Sequence, residues 1–227
     1  MAFSLISFNL KHFNQMNSQH KYWDKVAKQK TFTHPFDIES FRKSVSPQQR
    51  IIDYGCGYGR IIDELYKHDY SNIVGVDFSK ELLERAKLSN SQMELRHIKS
   101  TGDFRKLGIE ADAIILFAVL TCIPSNGEQK ELIKTLYDSL KAGGILYISD
   151  YYLQTNTDEV KEYQYLNGDK SNYGVFYLQE GVHFRHHSQQ WIKDLLQDFD
   201  IIQEKAVEVK TMNGHSGEAF QIFAKKR

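Results

Sequence analysis

A run of alternating glycines constrains this chain more than any other feature of its sequence. The apolar pair Ile51-Ile52 leads into Asp53-Tyr54-Gly55-Cys56-Gly57-Tyr58-Gly59, and an amphipathic stretch follows from Arg60 to Lys67. This order predicts a buried strand, a tight loop and a helix. Glycines let a ligand lie directly on the backbone, at the positively polarised start of the helix. The segment therefore predicts a binding loop for a small cofactor.

Two acidic residues near this loop indicate what it binds. Asp77 ends the next apolar run, Ile73 to Asp77, where a carboxylate can accept both hydroxyls of a ribose. Asp53 precedes the first glycine, where its charge would repel a pyrophosphate and attract an ammonium group. The alternatives are that Asp53 only organises the loop and that Asp77 only caps the next helix. Ser79 makes the second alternative less necessary, because it is itself a suitable cap.

The glycine spacing also disfavours a dinucleotide cofactor. A dinucleotide loop has the form G-x-G-x-x-G, whereas the sixth position counted from Gly55 is Arg60. The form present is G-x-G-x-G, preceded by an acid. An oxidoreductase that uses NAD is therefore the disfavoured enzyme class.

Apolar runs and amphipathic stretches alternate from Arg50 to about Tyr152, which predicts a parallel sheet with helices on both faces. The strands predicted after the loop are Asn72–Asp77, Met93–Ile98, Ala113–Ala118 and Ile145–Ser149. The helices predicted between them are Ser79–Leu88, with Ser79 as its N-cap, and Glu128–Leu140, ended by Gly143-Gly144.

The flanking segments differ from this core. Residues 1–49 are polar and aromatic, with helices predicted at Asn17–Lys28 and Asp37–Lys43. Residues 152–190 are rich in Tyr, Gln, Asn and His and show no clear period. A helix at Gln190–Leu196 and strands at Asp200–Val209 and Ala219–Ala224 are predicted to follow, joined by a turn over Met212–Gly217. The sheet is therefore predicted to end in an antiparallel hairpin.

Composition narrows the function classes. The chain has 227 residues, which fits one domain, and 41% apolar with 26% charged residues is ordinary for a soluble enzyme. Basic and acidic residues number 29 each, so no net charge attracts nucleic acid, and a nucleic-acid partner is disfavoured. The longest apolar run, Ala113–Leu120, is far short of the ~20 residues that span a bilayer. No membrane association is expected.

The two cysteines, Cys56 and Cys122, indicate a reducing compartment and no disulfide framework. The segment Met1–Leu10 lacks the basic start and cleavage site of a signal peptide, so a cytoplasmic location is expected. No Cys and His cluster has zinc spacing, and no metal site is predicted. A packing role is expected for Cys56, and a nucleophilic thiol at Cys122 is the less favoured alternative.

The combination of motifs resembles the class I S-adenosylmethionine-dependent methyltransferases. Asp53–Gly59 and Gly75-Val76-Asp77-Phe78-Ser79 are similar to motifs I and II of that family. Asp112-Ala113-Ile114-Ile115 resembles its fourth strand, and Leu140-Lys141-Ala142-Gly143-Gly144 resembles the turn before its fifth strand. The resemblance covers residues 45–150 in motif detail and the remainder in outline. It implies a Rossmann-like α/β fold: a seven-stranded, mostly parallel sheet with an antiparallel final strand and helices on both faces.

The resemblance also implies S-adenosylmethionine as cofactor, released as S-adenosylhomocysteine. The residues it places at the methionine part are Asp53 near the amino group, Gly55, Cys56, Gly57 and Gly59 in the loop, and the backbone of Phe117. The residues it places at the nucleoside are Asp77 on the ribose hydroxyls, Phe78 against adenine and, by a looser match, Asp103 on the adenine amino group.

One domain is expected over residues 1–227. Its parts are a helical lid (1–49), a cofactor-binding core (50–151), a substrate-capping insertion (152–190) and a C-terminal helix and hairpin (191–227). The lid offers aromatic residues to the site, of which Tyr22 and Trp23 are the favoured ones and Phe32, His34 and Phe36 the others. Docking of these aromatics on the core is the alternative. The insertion carries many tyrosines, which suit an aromatic-lined substrate pocket.

Methyl transfer needs a base only when the acceptor arrives protonated, since most of the rate can come from in-line positioning in a dry pocket. The candidate catalytic residues are His183, Arg185, His186 and Tyr151. In a strand, His183, Arg185 and His187 share one face and His186 lies on the other. A structural role is the alternative for each histidine, and Arg185 could bind a carboxylate or phosphate.

The predicted function is methyl transfer to a small molecule, with the acceptor atom open among N, O, S and C. The alternatives are a regulatory protein that binds the cofactor without turnover and a methyltransferase that acts on a macromolecule. After the fourth strand stands Leu120-Thr121-Cys122-Ile123-Pro124 where amide-methylating members of the family have an Asn/Asp-Pro-Pro-Tyr-type motif. Methylation of DNA adenine or of glutamine is therefore disfavoured.

Overall fold

A computed structural model of the chain describes residues 19–155, 162–178, 181–211, 214 and 216–227. Its strands in chain order are β1 (Ile51–Tyr54), β2 (Ile73–Asp77), β3 (Glu94–His97), β4 (Ala111–Phe117), β5 (Leu140–Tyr151), β6 (Gln164–Tyr165), β7 (Tyr173–Tyr177), β8 (His183–Arg185), β9 (Phe199–Lys210) and β10 (Ser216–Lys226). Its helices are α1 (19–26), α2 (Ile38–Ser44), α3 (Arg60–Tyr66), α4 (Lys80–Ser89), α5 (Thr101–Lys106), α6 (Asn126–Ser139) and α7 (Gln189–Leu195).

Seven strands form the main sheet in the order β3-β2-β1-β4-β5-β10-β9. The pairs from β3 through to β5 are parallel, and β10 is antiparallel to both of its neighbours. This is the predicted Rossmann-like sheet with a reversed final strand, so the fold class is confirmed. Every residue of β1 and β2 is buried, as near-continuous apolar runs in a central parallel sheet require.

Helices pack on both faces of this sheet because alternate strand residues point to opposite sides. Ile52 of β1 joins a core with Phe104 of α5, Leu132 of α6 and Ile192 of α7. Its neighbour Ile51 joins a second core, to which α2, α3 and α4 contribute Phe41, Ile62 and Leu83 respectively. Two hydrophobic cores therefore hold the helices in two layers around the sheet.

Helix caps follow the serines in the sequence. The Ser79 hydroxyl accepts a hydrogen bond from the Leu82 amide at 3.2 Å, which confirms it as the N-cap of α4. Ser100 caps α5 in the same way, with 3.0 Å to the Asp103 amide. The sequence does not predict α5, because this six-residue helix buries only one apolar side chain, that of Phe104.

The boundary after α6 differs from the prediction. The helix ends at Ser139, ahead of Gly143-Gly144, and β5 already begins at Leu140, which pairs with Ala111. The Lys226 ammonium donates to the carbonyls of Tyr137 and Leu140 at 2.7 and 2.6 Å. A lysine near a helix C-terminus satisfies carbonyls that lack an intrahelical partner, and this one reaches α6 from β10.

The insertion is ordered around a three-stranded antiparallel sheet, β6-β7-β8, which its irregular composition does not predict. Four predictions fall wholly or partly outside the described residues. They concern the segment Met1–Leu10, the lid and its first helix before residue 19, residues 156–161 and 179–180 of the insertion, and Met212, Asn213 and His215 of the final turn. In the parts of the chain that the structure describes, no helix has the length and apolar character to cross a membrane.

Candidate active site

A cavity of about 360 Å³ lies at the carboxyl ends of β1, β2, β4 and β5. This is the edge of an open parallel sheet where ligands bind. Its lining also includes residues of α1, of the segment between α1 and α2, and of the small sheet. The predicted lid and the predicted insertion therefore meet over one space, together with the glycine loop.

The glycine loop adopts the conformation that its sequence requires. Gly55, Gly57 and Gly59 have φ values of 77°, 54° and 80°, in the left-handed region that favours glycine. A Cβ at Gly57 would lie 2.1 Å from the Phe32 ring, so glycine also allows the N-terminal segment to approach. Gly55 and Cys56 line the cavity, whereas Gly57 and Gly59 shape the loop from outside its lining.

Asp77 lies at the end of β2 and is 8% exposed. Its carboxylate accepts hydrogen bonds from the amides of Gly57 and Ser79, each at 2.8 Å. Burial raises its pKa to about 6, against the opposing effect of these amides. A carboxylate has about four acceptor positions, so two remain for hydroxyl groups in the cavity. This geometry fits the expected ribose contact.

Asp53 is the more unusual of the two acids. It is 2% exposed, it lines the cavity, and its Oδ2 has no hydrogen-bond partner in the described structure. Burial raises its pKa to about 7, while the Arg60 guanidinium acts in the opposite direction. A buried carboxylate oxygen without a partner is costly. A cationic ligand group beside it, such as the ammonium of a bound amino acid, would remove that cost.

Another part of the cavity lining is suited to a flat aromatic group such as a nucleobase. Phe78 lines it together with Ser100, Thr101 and Gly102, and the ring of His20 stacks on Phe78 at 5.1 Å between centroids.

The structure does not bring Asp103 to this cavity, contrary to expectation. Within α5 its carboxylate lies 3.1 Å from the Lys106 ammonium and accepts from the Lys99 amide at 3.3 Å. Asp103 therefore stabilises the helix start, and the residues just before it are the ones that reach the cavity.

The N-terminal segment is fastened across the glycine loop by hydrogen bonds to its backbone. Arg60 donates to the carbonyl of His34 at 2.6 Å, and Arg85 donates to the carbonyl of Ala27 at 2.7 Å. The Phe32 amide donates to the Tyr58 hydroxyl at 2.9 Å. Tyr22 and Trp23 line the cavity, as expected of residues in a lid.

A continuous series of ring contacts forms one side of the cavity. It runs from Tyr22 to Phe184 (6.0 Å), Phe176 (6.2 Å), His186 (4.8 Å), Tyr151 (5.0 Å), His34 (4.6 Å) and Phe117 (6.4 Å). All seven residues line the cavity. We refer to them as the ring wall. It places Tyr151 and His186, two of the candidate catalytic residues, at the site together with His34 of the lid and Phe176 and Phe184 of the insertion.

Strand β8 separates the candidate residues of the insertion into two groups. Phe184 and His186 face the cavity, whereas His183 and Arg185 are absent from its lining. His183 is half-buried, and its ring contacts Tyr177 at 3.9 Å. His187 is fully buried, with its ring nitrogens 2.9 Å from Gln129 Nε2 and 3.2 Å from the Tyr151 carbonyl oxygen. The alternation predicted for a strand is present, and it leaves His186 as the histidine of the three that meets the cavity.

Arg185 has a structural position, which corrects its prediction as a substrate-binding residue. Its buried guanidinium donates to the Pro124 carbonyl at 3.1 Å, to Asn126 Oδ1 at 2.6 Å and to Asn172 Oδ1 at 3.3 Å. These bonds join the loop after β4 to the small sheet. Arg185 therefore fixes a wall of the cavity without entering it.

Two buried histidines are the main titratable groups of the ring wall. His34 is 4% exposed, its Nε2 has no described partner, and its pKa falls to about 4 through burial and, secondarily, the Arg60 charge. Burial, with His34 nearby, lowers the pKa of His186 to about 3, and its Nδ1 lies 2.5 Å from the Tyr163 hydroxyl. Both imidazoles are neutral at physiological pH. His34 is among the aromatic residues that the lid offers in the sequence, but the sequence does not indicate that its Nε2 is buried without a described partner.

The two cysteines fit a packing role better than a nucleophilic one. Burial raises the thiol pKa values of both Cys56 and Cys122, so the thiols stay protonated. No cluster of three metal-ligating side chains was found among the described residues.

Comparison with known proteins gives consistent matches. A family model described as a methyltransferase domain matches residues 19–201. A solved SAM-dependent methyltransferase from Methanosarcina mazei superposes with a TM-score of 0.75 at 22% identity, over 85% of this chain and 99% of that chain. At this identity the structural likeness shows the fold.

Two curated relatives are similar in sequence. A carboxy-S-adenosyl-L-methionine synthase from Trichodesmium erythraeum is 25% identical over 144 residues, 58% of this chain and 56% of that protein. EEF1A lysine methyltransferase 2 from Danio rerio is 27% identical over 164 residues, 63% of this chain and 70% of that protein. The chain spans about half the length of the curated synthases it matches.

Proposed function

The chain belongs to the methyltransferase domain family, whose members use S-adenosylmethionine, and from this premise we propose that it transfers a methyl group to a small-molecule acceptor. The observation that carries the proposal is the buried, unpartnered Oδ2 of Asp53, in the same cavity as Asp77 and the ring wall. In an oxidoreductase that binds NAD, a carboxylate at this position would repel the pyrophosphate of the cofactor.

The residues present fit the cofactor along the whole cavity. Asp53 would pair with the ammonium of its methionine part, and Asp77 would accept from the ribose hydroxyls. Phe78, with the backbone of Thr101 and Gly102, would hold the base. When bound, S-adenosylmethionine supplies an activated methyl group whose leaving group is a neutral thioether.

The protein's own contribution is to position the acceptor and exclude water. Phe117 ends β4 next to the strand that carries Asp53, which puts the ring wall beside the methionine part. An acceptor between these rings meets the methyl group in an enclosed, largely apolar space. Holding two reactants in line in this way can supply most of the acceleration that methyl transfer needs.

The size and cover of the cavity favour a small acceptor over a macromolecule. The cavity of about 360 Å³ is within the range of small-molecule sites, and it has to hold the cofactor as well as the reacting part of the acceptor. Tyr22 and Trp23 of the N-terminal segment pack against Phe184 of the small sheet, and all three line the cavity. A protein side-chain amine is the second candidate, because the Danio rerio relative is named as a lysine methyltransferase.

A transfer experiment distinguishes these acceptors. The purified protein is incubated with methyl-labelled S-adenosylmethionine and either the low-molecular-weight or the macromolecular fraction of a cell extract. We expect the label to enter the small-molecule fraction, and to do so less with the Asp53→Asn variant. Label that enters only protein or nucleic acid contradicts the small-molecule proposal. Binding of S-adenosylmethionine without transfer to either fraction favours a regulatory protein.

A further inference from the structure

The ring wall contains a polar atom that cofactor binding does not explain. His34 Nε2 is buried, lines the cavity and has no described hydrogen-bond partner. Its ring is held in place, since it packs edge-on against Tyr151 at 4.6 Å and its carbonyl accepts from Arg60. In the tautomer with hydrogen on Nδ1, Nε2 offers a lone pair to a donor in the cavity. In that tautomer the site suits an acceptor molecule that carries an N–H or O–H group.

The charges of the cavity lining distinguish an acceptor with an N–H group from one with an O–H group. Among the described lining residues, Arg60 is the only lysine or arginine, whereas four residues are acidic: Asp53, Asp77, Glu128 and Glu131. Arg60 already donates to the His34 carbonyl. Alcohols, phenols, thiols and carboxylic acids react as anions, and the described lining has no second cation to hold one. In the complex with S-adenosylhomocysteine, which carries no sulfonium charge, an anionic acceptor would meet more carboxylates than cations in this lining.

The protonation state of the two histidines also disfavours an anionic acceptor. Burial keeps His34 and His186 neutral, so neither adds a positive charge to the cavity. Such weakly basic imidazoles do not remove a proton from an alcohol or thiol, but they accept hydrogen bonds. A neutral amine needs no prior deprotonation, because its nitrogen already carries a lone pair.

We propose, on the basis of the proposed function, that the acceptor is an amine that reacts as its neutral free base, with its N–H group bound to His34 Nε2 and its carbon frame against the ring wall. The nitrogen lone pair forms the new N–C bond as the C–S bond breaks, and the bonding pair remains on sulfur. The products are S-adenosylhomocysteine and a methylated ammonium, which releases its extra proton to solvent.

This arrangement stabilises the transition state more than the bound substrate. Positive charge moves from sulfur to the amine nitrogen during transfer. The hydrogen bond to Nε2 strengthens as the N–H becomes more acidic, and the faces of aromatic rings attract the developing cation. The rings of Tyr151 and Phe117 are the two that contact His34 within the ring wall.

The test uses four probes that share one ring: benzylamine, benzyl alcohol, benzyl mercaptan and phenylacetate. Each is titrated into the protein saturated with S-adenosylhomocysteine, and methyl transfer to each is measured with S-adenosylmethionine. We expect benzylamine to bind roughly tenfold or more tighter than phenylacetate and to be methylated fastest. Equal or tighter binding of phenylacetate, or faster methylation of the alcohol or mercaptan, overturns the inference.

Variants at His34 make the test specific. His34→Phe keeps a ring without the lone pair, and we expect it to weaken benzylamine binding roughly tenfold, the effect of one lost hydrogen bond. His34→Gln retains an acceptor oxygen and should recover part of the affinity. His183→Phe, outside the cavity, is the matched control and should behave as wild type. Benzylamine affinity that is equal in all four proteins also overturns the inference.

Binding of S-adenosylhomocysteine is measured in every variant and separates the two proposals. If the wild-type protein does not bind it, the proposed function fails. If binding is intact in wild type and His34→Phe and the amine preference is absent, only the inference about the acceptor fails. Thermal unfolding of each variant shows whether the fold is retained.

Discussion

The backbone N–H of Gly57 donates to Oδ2 of Asp77 at 2.8 Å, which fixes the glycine loop to the end of the second strand. The loop after the first strand and the end of the second strand thus share one hydrogen bond in the site. The carboxylate orders the loop and, through its remaining acceptor positions, faces the cavity. Loop shape and ligand recognition are therefore coupled at this pair.

The first prediction concerns the pH dependence of cofactor binding. Burial raises the pKa of Asp53 to about 7, so the free protein holds a proton there at mildly acidic pH. A ligand ammonium favours the carboxylate, and binding should release this proton. We expect affinity for S-adenosylmethionine to fall as the pH drops below 7, by up to roughly tenfold per unit. Calorimetry in buffers of different ionisation enthalpy measures the proton release.

The Asp53 carboxyl group should also make the free energy of unfolding depend on pH. The pKa of Asp53 in the folded protein is above its ordinary value, so the folded state binds more protons than the unfolded chain between about pH 4 and 7. Its contribution to stability is fully present below that range and is lost as the pH rises through 7. Asp53→Asn should therefore stabilise the ligand-free protein more at pH 8 than at pH 4.5. Denaturant unfolding that shows the reverse order contradicts this assignment. Asp77, with a pKa raised to about 6, retains a smaller effect of the same sign in the variant.

The second prediction concerns the glycine loop. Gly57→Ala puts a methyl group into a left-handed conformation and against the Phe32 ring. We expect a loss of at least about 2 kcal/mol in the free energy of unfolding, together with weaker cofactor binding. Gly168→Ala is the matched control, because its φ is 78° and nothing lies within 4 Å of the added Cβ. This control should lose only the free energy of unfolding that a left-handed alanine costs, about 1–2 kcal/mol, and should keep its cofactor affinity. Equal affinities in the two variants would argue against a close fit at Gly57.

The third prediction tests whether Arg185 stabilises the fold or binds substrate. Arg185→Met removes the donor to the buried Pro124 carbonyl and one of the two donors to Asn172 Oδ1, which keeps the Asn126 amide. We expect a destabilisation of roughly 2–4 kcal/mol by denaturant unfolding. Affinity for S-adenosylhomocysteine should change less than twofold at a temperature where the variant is folded. A variant of wild-type stability that loses activity toward one class of acceptor would instead favour a direct contact with substrate.

The sequence predicts the cofactor half of the site better than the acceptor half, for a physical reason. Asp53, Gly55 and Asp77 belong to strand, loop and helix units whose geometry is set by neighbours in the chain. The Asp53 and Asp77 carboxylates and the Gly55 backbone therefore lie where the strand and loop pattern predicts them, at the carboxyl ends of the parallel strands. The fold class follows from the same alternation of buried strands and amphipathic helices.

The acceptor half depends on contacts between distant segments. His34 meets Tyr151 and His186 only because the N-terminal segment and the small sheet close over the same cavity. Asp103 shows the opposite case, in which a local match misleads. Its position in α5 turns the carboxylate toward Lys106, and a helix that buries one apolar residue has too weak a pattern to be predicted.

Isothermal titration of the wild-type protein and an Asp77→Asn variant with S-adenosylmethionine, S-adenosylhomocysteine and NAD is the most direct test of the central claim. The structure predicts that both sulfur ligands bind the wild-type protein, that NAD does not, and that the variant loses most of the affinity. Asparagine keeps one acceptor oxygen for the Gly57 amide but loses the acceptor of the Ser79 amide. Thermal unfolding of the variant is therefore measured beside the titration, to separate a perturbed loop from a lost ligand contact. Failure of both sulfur ligands to bind, or preferential binding of NAD, would contradict the assignment of this cavity to S-adenosylmethionine.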